Sequence, residues 1–124
     1  FIAFWELHNT EGSEDYVYDI NAAAKLPPGT NHYSFSVDSK QELKDWKQKW
    51  LAAGLDVFEI DHNWCHSIYT RDPNGNSVEF CLTTGTFTET DRQRALDALS
   101  ETEFTPSPPP AFMQLWNAKK VDSR

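Results

Sequence analysis

From residue 31 onward, apolar and polar positions alternate one by one. In His32-Tyr33-Ser34-Phe35-Ser36-Val37, the side chains of Tyr33, Phe35 and Val37 share one side and those of His32, Ser34 and Ser36 the other. A period of two predicts a strand with one apolar and one polar face. The period then lengthens. Leu43, Trp46, Trp50 and Leu51 recur at spacings of three, four and one, behind Ser39 and Glu42 at capping-box spacing and ahead of Gly54. That pattern predicts an amphipathic helix of about four turns. Residues 55–60 and 67–70 are β-branched and aromatic runs separated by the polar Asp61-His62-Asn63, and predict two more strands. Asp72-Pro73-Asn74-Gly75 supplies a tight turn. Alternation then returns in residues 77–82, with Val78, Phe80 and Leu82 on one side and Ser77, Glu79 and Cys81 on the other. The order strand, helix, strand, strand, strand predicts an α+β fold, a βαβββ module spanning residues 31–84.

The flanks are weaker in pattern. Phe1-Ile2-Ala3-Phe4-Trp5-Glu6-Leu7 is an apolar and aromatic run that predicts an additional N-terminal strand, and it resembles the interior of a strand more than a natural start. Chain is therefore expected upstream. Residues 9–28 predict a polar linker, weakly helical at Asn21-Ala22-Ala23-Ala24-Lys25, that closes in the turn Leu26-Pro27-Pro28-Gly29. Beyond residue 84, Thr90 and Gln93 repeat the capping-box spacing and predict a short C-terminal helix carrying Leu96 and Leu99. The Pro-rich run 105–110 predicts extended chain. Phe112, Met113, Leu115 and Trp116 form a small apolar cluster expected to dock on the domain or on a partner chain, before a mobile tail from Lys119. The organisation expected is 1–30, 31–84 and 85–124.

Composition narrows the function classes. The 124 residues are 39% apolar and 14% aromatic, enough for one hydrophobic core. Nineteen acidic against eleven basic residues leave a net charge of −8, spread along the chain, which disfavours nucleic-acid backbones as partners. No apolar run reaches the roughly 18 residues of a membrane span. Cys65 and Cys81 form no CxxC pair and predict free thiols in a reducing, cytoplasmic compartment.

The strand faces also sort the candidate chemistry. If the Trp46/Trp50 helix covers the apolar faces, the opposite faces present His32, Ser34, Glu79 and Cys81 to a common space. An imidazole and a carboxylate there suit Zn, Fe, Mn or Ni in the divalent state. His62 and His66 are four apart, but in a segment that predicts loop and strand rather than helix, so joint ligation is not expected. His66 remains a candidate substrate contact lining the same hollow, with Ser34 and Cys81. Arg71 beside Asp72 predicts a surface ion pair, and Trp46 and Trp50 core positions.

Taken together, His32 opening a His-Tyr-x-Phe-x-Val strand, the helix end Ala53-Gly54-Leu55, and Tyr69-Thr70-Arg71-Asp72-Pro73-Asn74-Gly75-Asn76-x-Val78-Glu79-Phe80 resemble one module of the vicinal oxygen chelate superfamily. This group holds glyoxalases, bleomycin-resistance proteins and extradiol dioxygenases, and the resemblance is to the second module, with 1–30 as the end of an incomplete first one. It implies a glyoxalase-like curved mixed sheet, His32 and Glu79 as metal ligands, Glu79 also as a catalytic proton shuttle, and Glu6 as a further metal ligand, since Phe4-Trp5-Glu6-Leu7 is similar to the end of a first module. It implies a paired module, here a homodimer.

Two functions follow from this resemblance. The first is a divalent-metal-dependent lyase or oxidoreductase, or a remnant of one, in which Lewis-acid chemistry acts on a small oxygen-rich substrate. The second is a metal-free protein that sequesters a small, cationic molecule in an acidic, aromatic groove.

Overall fold

The structure, a computed structural model, describes residues 3, 5, 10–103 and 106–119. Of the expected strand at residues 1–7 only Ala3 and Trp5 are described, neither in a strand; its other residues, the candidate ligand Glu6 among them, and the tail from residue 120 lie outside the described residues. The fold is mixed α+β: the described residues form a curved, unclosed five-stranded mixed sheet with three α-helices. In chain order, a 3-10 turn at Ser13–Asp15 precedes α1 (Ile20–Ala23), β1 (His32–Ser36), α2 (Lys40–Ala52), β2 (Val57–Asp61), β3 (Cys65–Arg71), β4 (Ser77–Thr83), α3 (Glu89–Ala98) and β5 (Phe112–Trp116).

The strands stand in the order β1-β4-β3-β2-β5. Among the described strands, β1 and β4 pair in parallel and the other neighbours are antiparallel. Because paired residues share a face, the register converts sequence alternation into rows across the sheet. Phe35, Phe80, Ile68, Glu59 and Gln114 form one row on the side of α2. Ser34, Glu79, Tyr69, Phe58 and Leu115 form the adjacent row on the opposite, open side.

The core lies between α2 and the sheet. Val37, Leu43, Val57 and Ile68 are buried there, and Trp46, Trp50, Leu51, Phe80 and Leu82 pack around them. Phe80 is the centre of the aromatic contact, its ring 4.5 Å from Trp46 and 5.1 Å from Trp50. The two tryptophans thus border the core rather than fill it. At its start, α2 is capped by Ser39 Oγ, which accepts from the Glu42 amide, while the Glu42 carboxylate accepts from Asp38 rather than from Ser39. Half of the expected capping box forms, and the other half shifts one residue outward. At the helix end, Gly54 adopts φ +82°, letting the Gly54 and Leu55 amides bond back to Leu51 and Trp50.

Several expectations need correction. The Asp72 carboxylate does not pair with Arg71; it caps its own turn, accepting from the Asn74 and Asn76 amides, while Arg71 donates to the Gly75 carbonyl. The segment expected as a linker contributes a docked turn. Asn21 is buried and exchanges two hydrogen bonds with the Asn31 backbone, and Ile20 N–H donates to Asn76 Oδ1. The cap of α3 is Thr88 with Asp91, two residues earlier than Thr90 with Gln93. None of the α3 residues is buried. The apolar cluster at 112–116 is a strand, β5, that extends the sheet beyond β2. Among the described residues, no helix is long and apolar enough to cross a membrane.

Candidate functional site

On the open side, β4 lies between β1 and β3, and this order brings His32 and Glu79 together. His32 Nε2 stands 3.1 Å from Glu79 Oε2, and His32 Nδ1 stands 3.3 Å from the Gly29 carbonyl oxygen. Both ring nitrogens therefore face oxygen acceptors. A neutral imidazole that donates from Nδ1 to Gly29 directs a bare Nε2 lone pair at a carboxylate, which is repulsive. The pair is satisfied when Nε2 carries the ring proton and donates it to Glu79, or when a cation stands in place of that proton. A backbone carbonyl on Nδ1 is also the outer partner that metal-ligating histidines use to fix their tautomer.

Glu79 is buried, 6% exposed, yet favours its charged form. Burial pushes its carboxyl up, but the hydroxyls of Ser34, Ser67 and Tyr69 and the charge of His32 outweigh burial and hold it below the ordinary carboxylate value. The converse holds for Tyr69, whose phenol is pushed up by burial and by the neighbouring Glu79 charge, so it stays protonated and able to donate. Its hydroxyl is 3.1 Å from His62 Nε2. The Tyr69 ring also meets the rings of His32 and His62 edge to face. His32, Glu79, Tyr69 and His62 thus form one polar cluster at the open face, with Ser34 in the same row as Glu79.

Cys81 lies one row further along the open face, opposite Ser67. Cys65, on the same face, is buried, and burial together with Cys81 pushes its thiol up to about 11, so it is protonated at neutral pH. Both cysteines are free. His66 goes to the other side. Its Nε2 is 3.0 Å from Glu59 Oε1, in the space under α2, so it does not line the open face as expected. His62 and His66 consequently serve opposite faces of the sheet.

Sequence pattern missed two groups. Ser67 and Tyr69 share a face even within the run 67–70, but only the pairing of that strand with β4 sets them beside Glu79 and Cys81. Followed from Cys65 to Arg71, the alternation sets Cys65, Ser67, Tyr69 and Arg71 on one face. The second group is Glu59, a buried carboxylate that accepts from Lys47 Nζ at 2.8 Å and Trp116 Nε1 at 2.7 Å as well as facing His66. Burial pushes Glu59 up, but these partners, Lys47 foremost, hold it below the ordinary value. Both of its oxygens are engaged, by three partners, which marks a structural network rather than a reactive one.

Among the described residues, no group of three or more His, Cys, Asp or Glu side chains is arranged to hold a metal ion. His32 and Glu79 supply two donors of suitable type, one nitrogen and one oxygen. Beside them opens a cleft of about 710 Å³ whose walls include His32, Tyr69, Arg71, Phe58 and Leu115. A hollow of about 770 Å³ between α3 and Pro106, Ser107 and Pro108 is lined by none of these groups. No family model, no curated protein and no solved structure matches the chain.

Proposed function

We propose that the chain is a glyoxalase-like module of the vicinal oxygen chelate type that binds a divalent cation through His32 Nε2 and Glu79, and takes a small oxygen-rich molecule in the adjoining cleft. The observation that carries this reading is the 3.1 Å approach of the imidazole to a buried, ionised carboxylate on the open face. The remaining donors come from Glu6 or from a second copy of the chain, since two ligands leave a divalent ion under-coordinated. Bound there, the ion supplies Lewis-acid polarisation of substrate oxygens. The chain's own residues do the rest. Gly29 orients His32, and the hydroxyls of Ser34, Ser67 and Tyr69 keep Glu79 anionic.

The test is calorimetric titration of chelator-treated protein with Zn²⁺, Ni²⁺ and Mn²⁺. Stoichiometric binding is expected, weakened by at least about tenfold in both His32→Ala and Glu79→Gln, the scale of losing a ligand or its support. Millimolar-only binding of all three ions, or affinities indifferent to both substitutions, would refute it. One observation favours a second reading, a metal-free sequestering module: Phe58 and Leu115 leave the cleft with an apolar wall, 38% and 52% exposed. Tight capture of a small ligand by chelator-treated protein that binds no cation supports that reading.

A further inference from the structure

We infer that the cleft selects small amphipathic carboxylates, with Arg71 holding the carboxylate and Phe58 and Leu115 receiving the apolar body. This rests on the reading of the open face as a small-molecule site but not on the cation. Register carries the geometry. Arg71, Ser77 and His32 form a row across β3, β4 and β1 at one end of the open face, and Tyr69, Phe58 and Leu115 belong to the next row. One end of the cleft therefore carries the Arg71 guanidinium, and the other is apolar.

Charge decides the sign of the ligand. Arg71 Nη1 donates to the Gly75 carbonyl at 3.1 Å, which anchors the guanidinium while leaving most of its five N–H groups available. Among the described residues no acidic side chain lies within ion-pair distance of it. The acid in the cleft wall, Asp56, keeps its charge, but it is bound through Oδ1 by the Ala118 amide at 2.8 Å and is not within ion-pair distance of Arg71. A planar carboxylate meets at Arg71 a fork with no ion-pair partner among the described residues, the arrangement that gives strong, directional pairing. From Arg71 to Phe58 is one strand spacing and a two-residue step, roughly 8 Å from sheet dimensions. That distance matches an acid whose apolar end lies six or seven atoms from its carboxylate, such as 3-phenylpropionate.

The experiment compares 3-phenylpropionate, 3-phenylpropionamide and 3-phenylpropylamine by calorimetry on the whole chain in the presence of chelator. The acid is expected to bind at least about fivefold tighter than the amide, an advantage that shrinks as salt rises. Arg71→Gln should make acid and amide equal, while Arg71→Lys keeps part of the preference. Phe58→Ala should weaken both alike. An amine that binds as well as the acid, a preference surviving Arg71→Gln in protein with an unchanged thermal melt, or no binding of any of the three overturns the inference. Arg71→Gln is not expected to lower cation affinity. Loss of the acid preference alone therefore reports on this cleft, and loss of cation binding in His32→Ala alone reports on the metal reading.

Discussion

A carboxylate placed between a sheet and the helix that covers it destabilises the fold unless its lone pairs are met. Glu59 meets that condition through Lys47, Trp116 and His66, which come from α2, β5 and β3. Removing one partner strands the charge, so Lys47→Met is expected to lower stability by on the order of 1–3 kcal/mol in urea unfolding. In the double variant with Glu59→Gln the loss should be smaller than the sum of the two single losses, because the charge that Lys47 serves is gone. A Lys47→Met protein as stable as the parent would mean that His66 and Trp116 suffice. Glu79 on the other face solves the same problem with hydroxyls, which leaves its partner His32 open to the cleft. These two acids are indistinguishable as letters in the sequence; their roles separate only through the neighbours each is given.

At the scale of elements, α2 and α3 look alike in sequence, each with a capping signal and spaced leucines, yet they differ in what they cover. Leu43 in α2 is 4% exposed, whereas Leu99, at the end of α3, is 84% exposed. Leu43→Ala should therefore cost about 2–4 kcal/mol by transfer and cavity formation, and Leu99→Ala no more than about 0.5 kcal/mol. Equal effects in denaturant titration would show that α3 packs in solution. The strand β5 was not legible as a strand because Phe112 and Trp116 on one side, and Met113 and Leu115 on the other, are all apolar, so no period of two appears. Its partner decided the matter, since pairing with β2 shields an otherwise open sheet edge and brings Trp116 to Glu59.

For the molecule as a whole, two buried carboxylates with depressed values link stability to acidity. Glu59 and Glu79 both sit below the ordinary 4.5 in the folded chain. Their contribution is full above 4.5 and is lost as the pH falls through the lower folded values, because the unfolded chain takes up protons first. Urea unfolding at pH 7, 5 and 3 should show stability falling below pH 5, and the fall should flatten in the Glu59→Gln/Glu79→Gln double variant. An unchanged acid slope in that variant would place the linkage in other carboxylates.

Periodicity is a property of a few consecutive residues, so the chain by itself determined the strand and helix segments of 31–84, the Gly54 stop, and the sharing of one side by Ser77, Glu79 and Cys81. It also set His32 with Ser34 on the polar side of its strand. Which strands become neighbours depends on burying all the apolar faces at once, and no local window contains that condition. Only the tertiary arrangement put β4 between β1 and β3, closing 47 residues of sequence to a 3.1 Å contact between His32 and Glu79. The same arrangement sent His66 under the helix and set Tyr69 beside the pair.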